Sequence, residues 1–220
     1  RAISGASADA AATTTVTVRL ADEPDLGAES YRLGNDGGRL LVHARTEVGA
    51  MYGLYHLAAD LGARYIHPEQ SVFPRNPTVA LPSYDANQVQ APHFKIRGFH
   101  EHTQHPTVMS DYLLRPGDSE FRAGVSRYLQ WLARNRQNQL TFHMLNTVDL
   151  EAWTPYMQDI TVEAAALGID VGIIIGFVDQ QQNAFRLFKP RESDPETGES
   201  VPAEVQITTK IDRFAESGIK

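Results

Sequence analysis

Apolar positions along the chain change period twice, and each change marks a different kind of element. Residues 13–20 are rich in Thr and Val with partial alternation, which predicts a strand. Residues 29–33 and 39–43 flank Gly34, Asn35, Asp36, Gly37 and Gly38. That cluster supplies positions able to take positive φ, so the two runs read as a hairpin. Over residues 46–61 the period becomes helical. Met51, Leu54, Tyr55, Ala58 and Leu61 share one face, with Thr46 as N-cap and Gly62 just past the end. Gly49 and Gly53, four residues apart, let this helix lie close to a sheet. From Pro68 to Pro92 the prolines come thickly, and the stretch reads as an extended connection.

After that connection, strands and helices alternate. Residues 94–99 predict a strand, and 119–136 a helix with Phe121, Val125, Tyr128, Leu129 and Leu132 on one stripe. Residues 140–145 predict a second strand. Thr154 then reads as the cap of a helix with Pro155 at its first position, Tyr156, Ile160, Ala164 and Leu167 inward, and Gly168 as its stop. Residues 169–178 form a near-continuous apolar run, as a strand covered by helices requires. A polar loop runs through Glu204, and a last helix places Ile207, Ile211, Phe214 and Ala215 inward before Gly218. The predicted class is α/β: a small α+β domain over 1–68, the connection over 69–92, and the first three βα units of a TIM-type (β/α)8 barrel over 93–220. A closed barrel needs eight units and about 250 residues. Three do not close, so the alternatives are an incomplete barrel and a small open sheet.

Composition narrows the function. A formal charge of -7 argues against binding a phosphate backbone, which needs clustered Lys and Arg. The longest apolar run is too short to span a bilayer. With no cysteine, the chain has no disulfide, thiolate metal site or Cys nucleophile. Nucleotide-binding glycine loops, nucleophile elbows and zinc-protease helix motifs are absent from the sequence.

In parallel α/β sheets ligands collect beyond the carboxyl ends of the strands. The first predicted strand runs into Arg97, His100, Glu101, His102 and His105, the second into His143, Asn146 and Asp149, the third into Asp179. Imidazole, amide and carboxylate groups near aromatic rings suit a sugar, which offers hydroxyls to bond and apolar faces to stack. Glu101, Asp149 and Asp179 are the candidate catalytic carboxylates, and Arg97, His100, His102, His143 and Asn146 the candidate substrate-binding groups. His100 and His102, two apart on an extended segment, point to the same side and form a possible metal pair, with His105 as a local third ligand. The other reading is hydrogen-bonding loop histidines. No cofactor is expected.

Glu29, Tyr31 and Leu33, the alternating run Leu41, Val42, His43 and Ala44, and then Gly49, Tyr52, Gly53 and Leu57 form a larger pattern. It resembles the β-N-acetylhexosaminidase-like N-terminal domain, which also precedes the barrel in α-glucuronidases. In those families a Pro-rich connection leads into a first barrel strand ending in Arg-Gly, and Arg97 with Gly98 is similar. The resemblance implies a glycosidase parent and a sugar-binding role for Arg97. The aspartate and second arginine that follow in hexosaminidases are replaced here by His100, Glu101 and His102. The second strand with Leu145, Asn146 and Val148 looks closer to the α-glucuronidase form. By the same resemblance the substrate is an oligosaccharide or other glycoside, with neither nucleic acid nor membrane as partner. It also implies that the catalytic carboxylates come from later strands, that both ends of the chain look cut, and that the parent is secreted or periplasmic. A metal-dependent hydrolase using His100 and His102, and a non-catalytic carbohydrate-binding module, are the competing readings.

Overall fold

The computed structural model describes residues 15–74, 81–105, 107–177 and 183–220. The chain forms two compact units, one of residues 1–95 with 131–136, the other of 96–130 with 137–220.

In the first unit, strands β1 (Val16–Leu20), β2 (Tyr31–Asp36), β3 (Arg39–Ala44) and β6 (Val89–Gln90) form one sheet in the order β1-β3-β2-β6. β2 and β3 make the expected antiparallel hairpin, with Gly37 and Gly38 at φ of 53° and 84°. A side chain is strained at such angles, so glycine belongs there. β1 pairs parallel to β3. Helix α1 (Glu47–Asp60) is capped by Thr46, whose hydroxyl accepts from the amide of Gly49, and Gly62 follows it at φ 96°. Tyr31 and Leu33 of β2, Val42 and Ala44 of β3, and Ala50 and Tyr52 of α1 form the core.

The face of α1 that meets the sheet is not the one its large side chains suggest. Gly49, Ala50, Tyr52, Gly53, Leu57 and Ala58 are buried, Ala58 as the periodicity places it, while Leu54 is exposed and Met51, Tyr55 and Leu61 are half-buried. The glycines set this rotation. A Cβ on Gly53 would stand 2.5 Å from Val42 Cγ1, and one on Gly49 2.6 Å from the carbonyl oxygen of Ser30. Helix and sheet approach where there is no side chain to hold them apart. Beyond α1 lies a second hairpin, β4 (Arg64–His67) with β5 (Gln70–Val72), where the sequence reading had an end of domain and an extended connection. Both strands are short and mostly exposed, so they carry little apolar alternation to read.

The second unit is built on β7 (Gly98–Glu101), β8 (Gln139–His143) and β9 (Asp170–Ile174), which pair in parallel and in chain order. Helices α2 (Val108–Leu114) and α3 (Ser119–Arg134) lie between β7 and β8, α4 (Leu150–Ala166) between β8 and β9, and α5 (Ala203–Glu216) after β9. This is an α+β domain followed by a partial (β/α)8 barrel. The strand assigned to 94–99 begins four residues later, and Phe94 and Ile96 are exposed. Thr107 and Ser110 form a capping box for α2, a helix the sequence reading passed over.

Helix α4 starts earlier than Thr154. Asp149 caps it, and Pro155 sits inside it rather than at its first position. Trp153 explains the early start. It is fully buried in the first turn and donates from Nε1 to the Leu113 carbonyl at 2.9 Å, and Thr154 instead bonds back to the Leu150 carbonyl. In α5 the buried residues are Gln206 and Phe214, whereas Ile211 and Ala215 are exposed. Gln206 is held inward by bonds to both the amide and the carbonyl of Lys189 and to the Val201 carbonyl.

The helices cover one face of the three-stranded sheet. Leu140 and Phe142 of β8 are fully buried on that face, Phe142 meets Trp153 of α4, and Trp153 meets Phe214 of α5. By strand alternation Gln139, Thr141 and His143 point the other way, and each is only half-buried. On β8 that second face is polar.

Candidate functional site

Strand alternation separates the charged residues of β7. His100 is in register with Thr141 and shares its open face, while Glu101 is in register with buried Phe142 and faces the helices. There Tyr128 of α3 donates its hydroxyl to Glu101 Oε1. Burial, and then the bond to Glu101, hold the Tyr128 phenol well above its ordinary range. Glu101 is thus engaged on the covered side of the sheet, with its pleat neighbour His100 on the other.

Four imidazoles gather at the carboxyl end of the sheet. His100 Nε2 lies 3.0 Å from His143 Nδ1, with ring centroids 4.6 Å apart. His102 lies in the turn after β7, its ring 4.9 Å from that of His143 and 6.3 Å from that of His100. His105 stacks on His102 at 4.9 Å. Thr103, almost fully buried, ties this turn to β8 by donating its hydroxyl to the His143 carbonyl. The His105 amide donates to the His102 carbonyl at 3.2 Å and closes the turn. Burial, then the neighbouring His100 and His102, lower the pKa of His143, so its neutral form is favoured.

The other residues singled out from the sequence stand elsewhere. Arg97 precedes β7, and its amide donates to Asn138 Oδ1 at 2.8 Å. About 10 Å of strand separates it from His100 at roughly 3.3 Å per residue. Asn146 lies beyond β8, where its amide donates to the Asn183 carbonyl at 2.8 Å and its buried Oδ1 has no hydrogen-bond partner among the described residues. Asp149 is the N-cap of α4, its carboxylate accepting from the Glu151 amide at 3.0 Å. Asp179 lies outside the described residues. Thr103 and Tyr128 escaped the sequence reading because their partners lie 40 and 27 residues away. Tyr128 looked only like part of a helix stripe.

No family model matches the sequence, and no curated protein matches it. Solved structures do resemble the fold. A family GH115 4-O-methyl-α-glucuronidase with specificity for decorated arabinogalactans aligns at 19% identity over 67% of this chain and 20% of its own, with a TM-score of 0.52. The N-acetyl-β-hexosaminidase of Streptomyces plicatus aligns at 18% identity over 73% of this chain and 34% of its own, with a TM-score of 0.46. A GH138 enzyme targeting pectin rhamnogalacturonan II aligns at 18% identity over 73% and 20%, also at 0.46. The chain therefore spans about a third or less of the length of these structures. At such identities the likeness is one of fold, and of the three it is the glucuronidase whose alignment supports it.

Proposed function

We propose that the chain is part of a carbohydrate-active hydrolase and supplies sugar-binding rather than bond-cleaving groups. The observation that carries this reading is the sidedness of the second unit: helices on one face of a parallel sheet, and His100, Thr141 and His143 on the other. A glycoside would lie across the carboxyl ends of β7 and β8, its hydroxyls bonded by the imidazoles. Arg97 and Asn146 would take part only if their side chains reach toward that end. The fold shared with a glucuronidase supports the class but not the sugar.

Hydrolysis of a glycosidic bond ordinarily uses two carboxyl groups placed across it, roughly 5–9 Å apart. Glu101 is bonded to Tyr128 on the covered face, and Asp149 is committed to a helix cap. Neither is therefore assigned the cleavage step. The catalytic pair is proposed to stand outside the described residues, in a longer protein of the kind the chain resembles.

Titrating the purified chain with a panel of monosaccharides and aryl glycosides, followed by two-dimensional NMR, tests this. Saturable shifts at His100 and His143, lost in His143→Ala, with no release of the aryl group, are expected. Turnover abolished by Glu101→Gln would overturn the assignment of roles, and no saturable binding by any sugar would overturn the site.

A further inference from the structure

We infer that the imidazoles at the carboxyl ends of β7 and β8 form an acid-sensitive latch, which holds the turn of residues 102–105 against β8 while neutral and releases it when both His100 and His143 carry charge. This does not rest on the glycoside reading, since the opening is measured with no sugar present. Among the described residues no three His, Asp or Glu side chains are placed to hold a metal ion, and the 3.0 Å contact of His100 Nε2 with His143 Nδ1 is a hydrogen bond between two rings.

That bond limits proton uptake. It needs one N–H and one lone pair, and an imidazolium donates from both nitrogens and accepts at neither. The bond therefore survives one positive charge on the pair and not two. Burial, then His100 and His102, favour the neutral form of His143, which fits it as the acceptor. His102 adds a third ring, 4.9 Å from that of His143, and His105 a fourth, stacked on His102 at 4.9 Å. His100, His102 and His105 are exposed, so protons reach them directly. Each proton taken up sets like charge beside like charge.

Among the described residues no carboxylate is paired with any of these rings. On β7, Glu101 is turned to Tyr128 of α3 on the covered face. In α2, Asp111 is paired with Arg115, and Asp149 caps α4. On β9 the register partner of His143 is Ile174. Arg97 and Asp170 lie at the amino ends of β7 and β9, with Asp170 bonded to Lys220. Arg186, bridged to Gly176 beyond β9, adds positive charge. What the charge acts on is the tie between turn and strand. Thr103 donates to the carbonyl of His143 itself, and the His105 amide closes the turn on the His102 carbonyl. The open turn binds protons that the closed one excludes, so acid favours opening, and the closed form is fully stable only above the ordinary histidine pKa of about 6.5. As these rings are the groups offered to a sugar, the latch sets the acidity below which that site comes apart.

The test follows amide exchange with water by NMR in the whole chain between about pH 8 and about pH 5, with rates corrected for the pH dependence of an unstructured amide. Protection of the Thr103 and His105 amides should fall at least about tenfold across that range, with Phe142 of β8 keeping its protection. In a double variant, His100→Gln with His143→Gln, side-chain amides replace the titrating rings, and the fall should shrink to about threefold or less. His67→Gln, in the first unit, should leave it unaltered. Circular dichroism of each variant at both pH limits separates release of the turn from loss of the fold. Unchanged protection of the turn in the parent chain overturns the proposal without recourse to any variant, as does an undiminished fall in the folded double variant.

Discussion

Replacing Gly53 by alanine should destabilise the first unit, although alanine is the better helix former. In a helix interior alanine is favoured over glycine by about 1 kcal/mol. Against that stands a steric conflict, since the added Cβ would lie 2.5 Å from Val42 Cγ1 and 3.2 Å from Tyr31 Cδ2. Carbon atoms sit best at about 3.5–4.0 Å, so the closer contact is short by about 1 Å. Neither neighbour can easily retreat. Val42 is β-branched and fully buried, Tyr31 is 2% exposed, and both belong to the β2–β3 ladder. Overpacking of this kind costs about 1–3 kcal/mol, which leaves a net loss near 1 kcal/mol. Leu54→Ala is the companion variant. Because Leu54 is 39% exposed, it should lose less than about 1 kcal/mol, where a buried leucine would lose about 2–5. Urea unfolding followed by far-UV circular dichroism measures both, and unchanged slopes would show that the same transition is being compared. A Gly53→Ala chain as stable as the parent, or a Leu54→Ala chain weakened by more than about 2 kcal/mol, would refute the rotation assigned to α1.

Three further outcomes follow from named contacts. Asp149→Ala should reduce stability by about 0.5–2 kcal/mol through loss of the α4 cap, with sugar binding unaltered, as melting and titration of the same sample would show. Tyr128→Phe removes the donor to Glu101 and should cost about 1.5–3 kcal/mol, with the Glu101 carboxylate signal shifting in NMR. His56 bonds Tyr31 through Nδ1 and lies 3.5 Å from Asp60, yet burial outweighs Asp60 and lowers its pKa. Below the ordinary histidine pKa of about 6.5 the unfolded chain takes up the proton more readily, so stability falls as pH drops through that range. His56→Gln should flatten this part of the pH–stability curve, and an unchanged curve would assign the dependence elsewhere.

How far the sequence could be read depended on whether the decisive group was local. The α1 cap, the glycines of the β2–β3 turn and the stripe of α3 are local, and each lies where the pattern put it. The rotation of α1 was not legible because hydrophobic periodicity scores glycine as nothing, whereas Gly49 and Gly53 are the contact. Pro155 gave a plausible helix start that the burial of Trp153 overrides. At the candidate site the gathering of histidines at the strand ends was legible, but the division between Glu101 and His100 was not. That division needs the carboxyl end of the strand, which the pattern places at residue 99 and the structure at Glu101.

Asn138 joins three strands at the end of the sheet remote from the histidines. Its Oδ1 accepts from the Arg97 amide at 2.8 Å, its own amide donates to the Arg97 carbonyl at 2.7 Å, and its carbonyl accepts from the Asp170 amide at 2.9 Å. These bonds fix the sliding position of β7 and β9 against β8. A slip of one residue would shift a strand by about 3.3 Å and send alternate side chains to the other face. His100 would then leave His143, and Glu101 would swing into the open. The alignment of the imidazoles is therefore inherited, strand by strand, from an asparagine that touches none of them. Mutational tolerance should accordingly be uneven: loops at the carboxyl end can vary while the pairing persists, but the residue at the far end cannot.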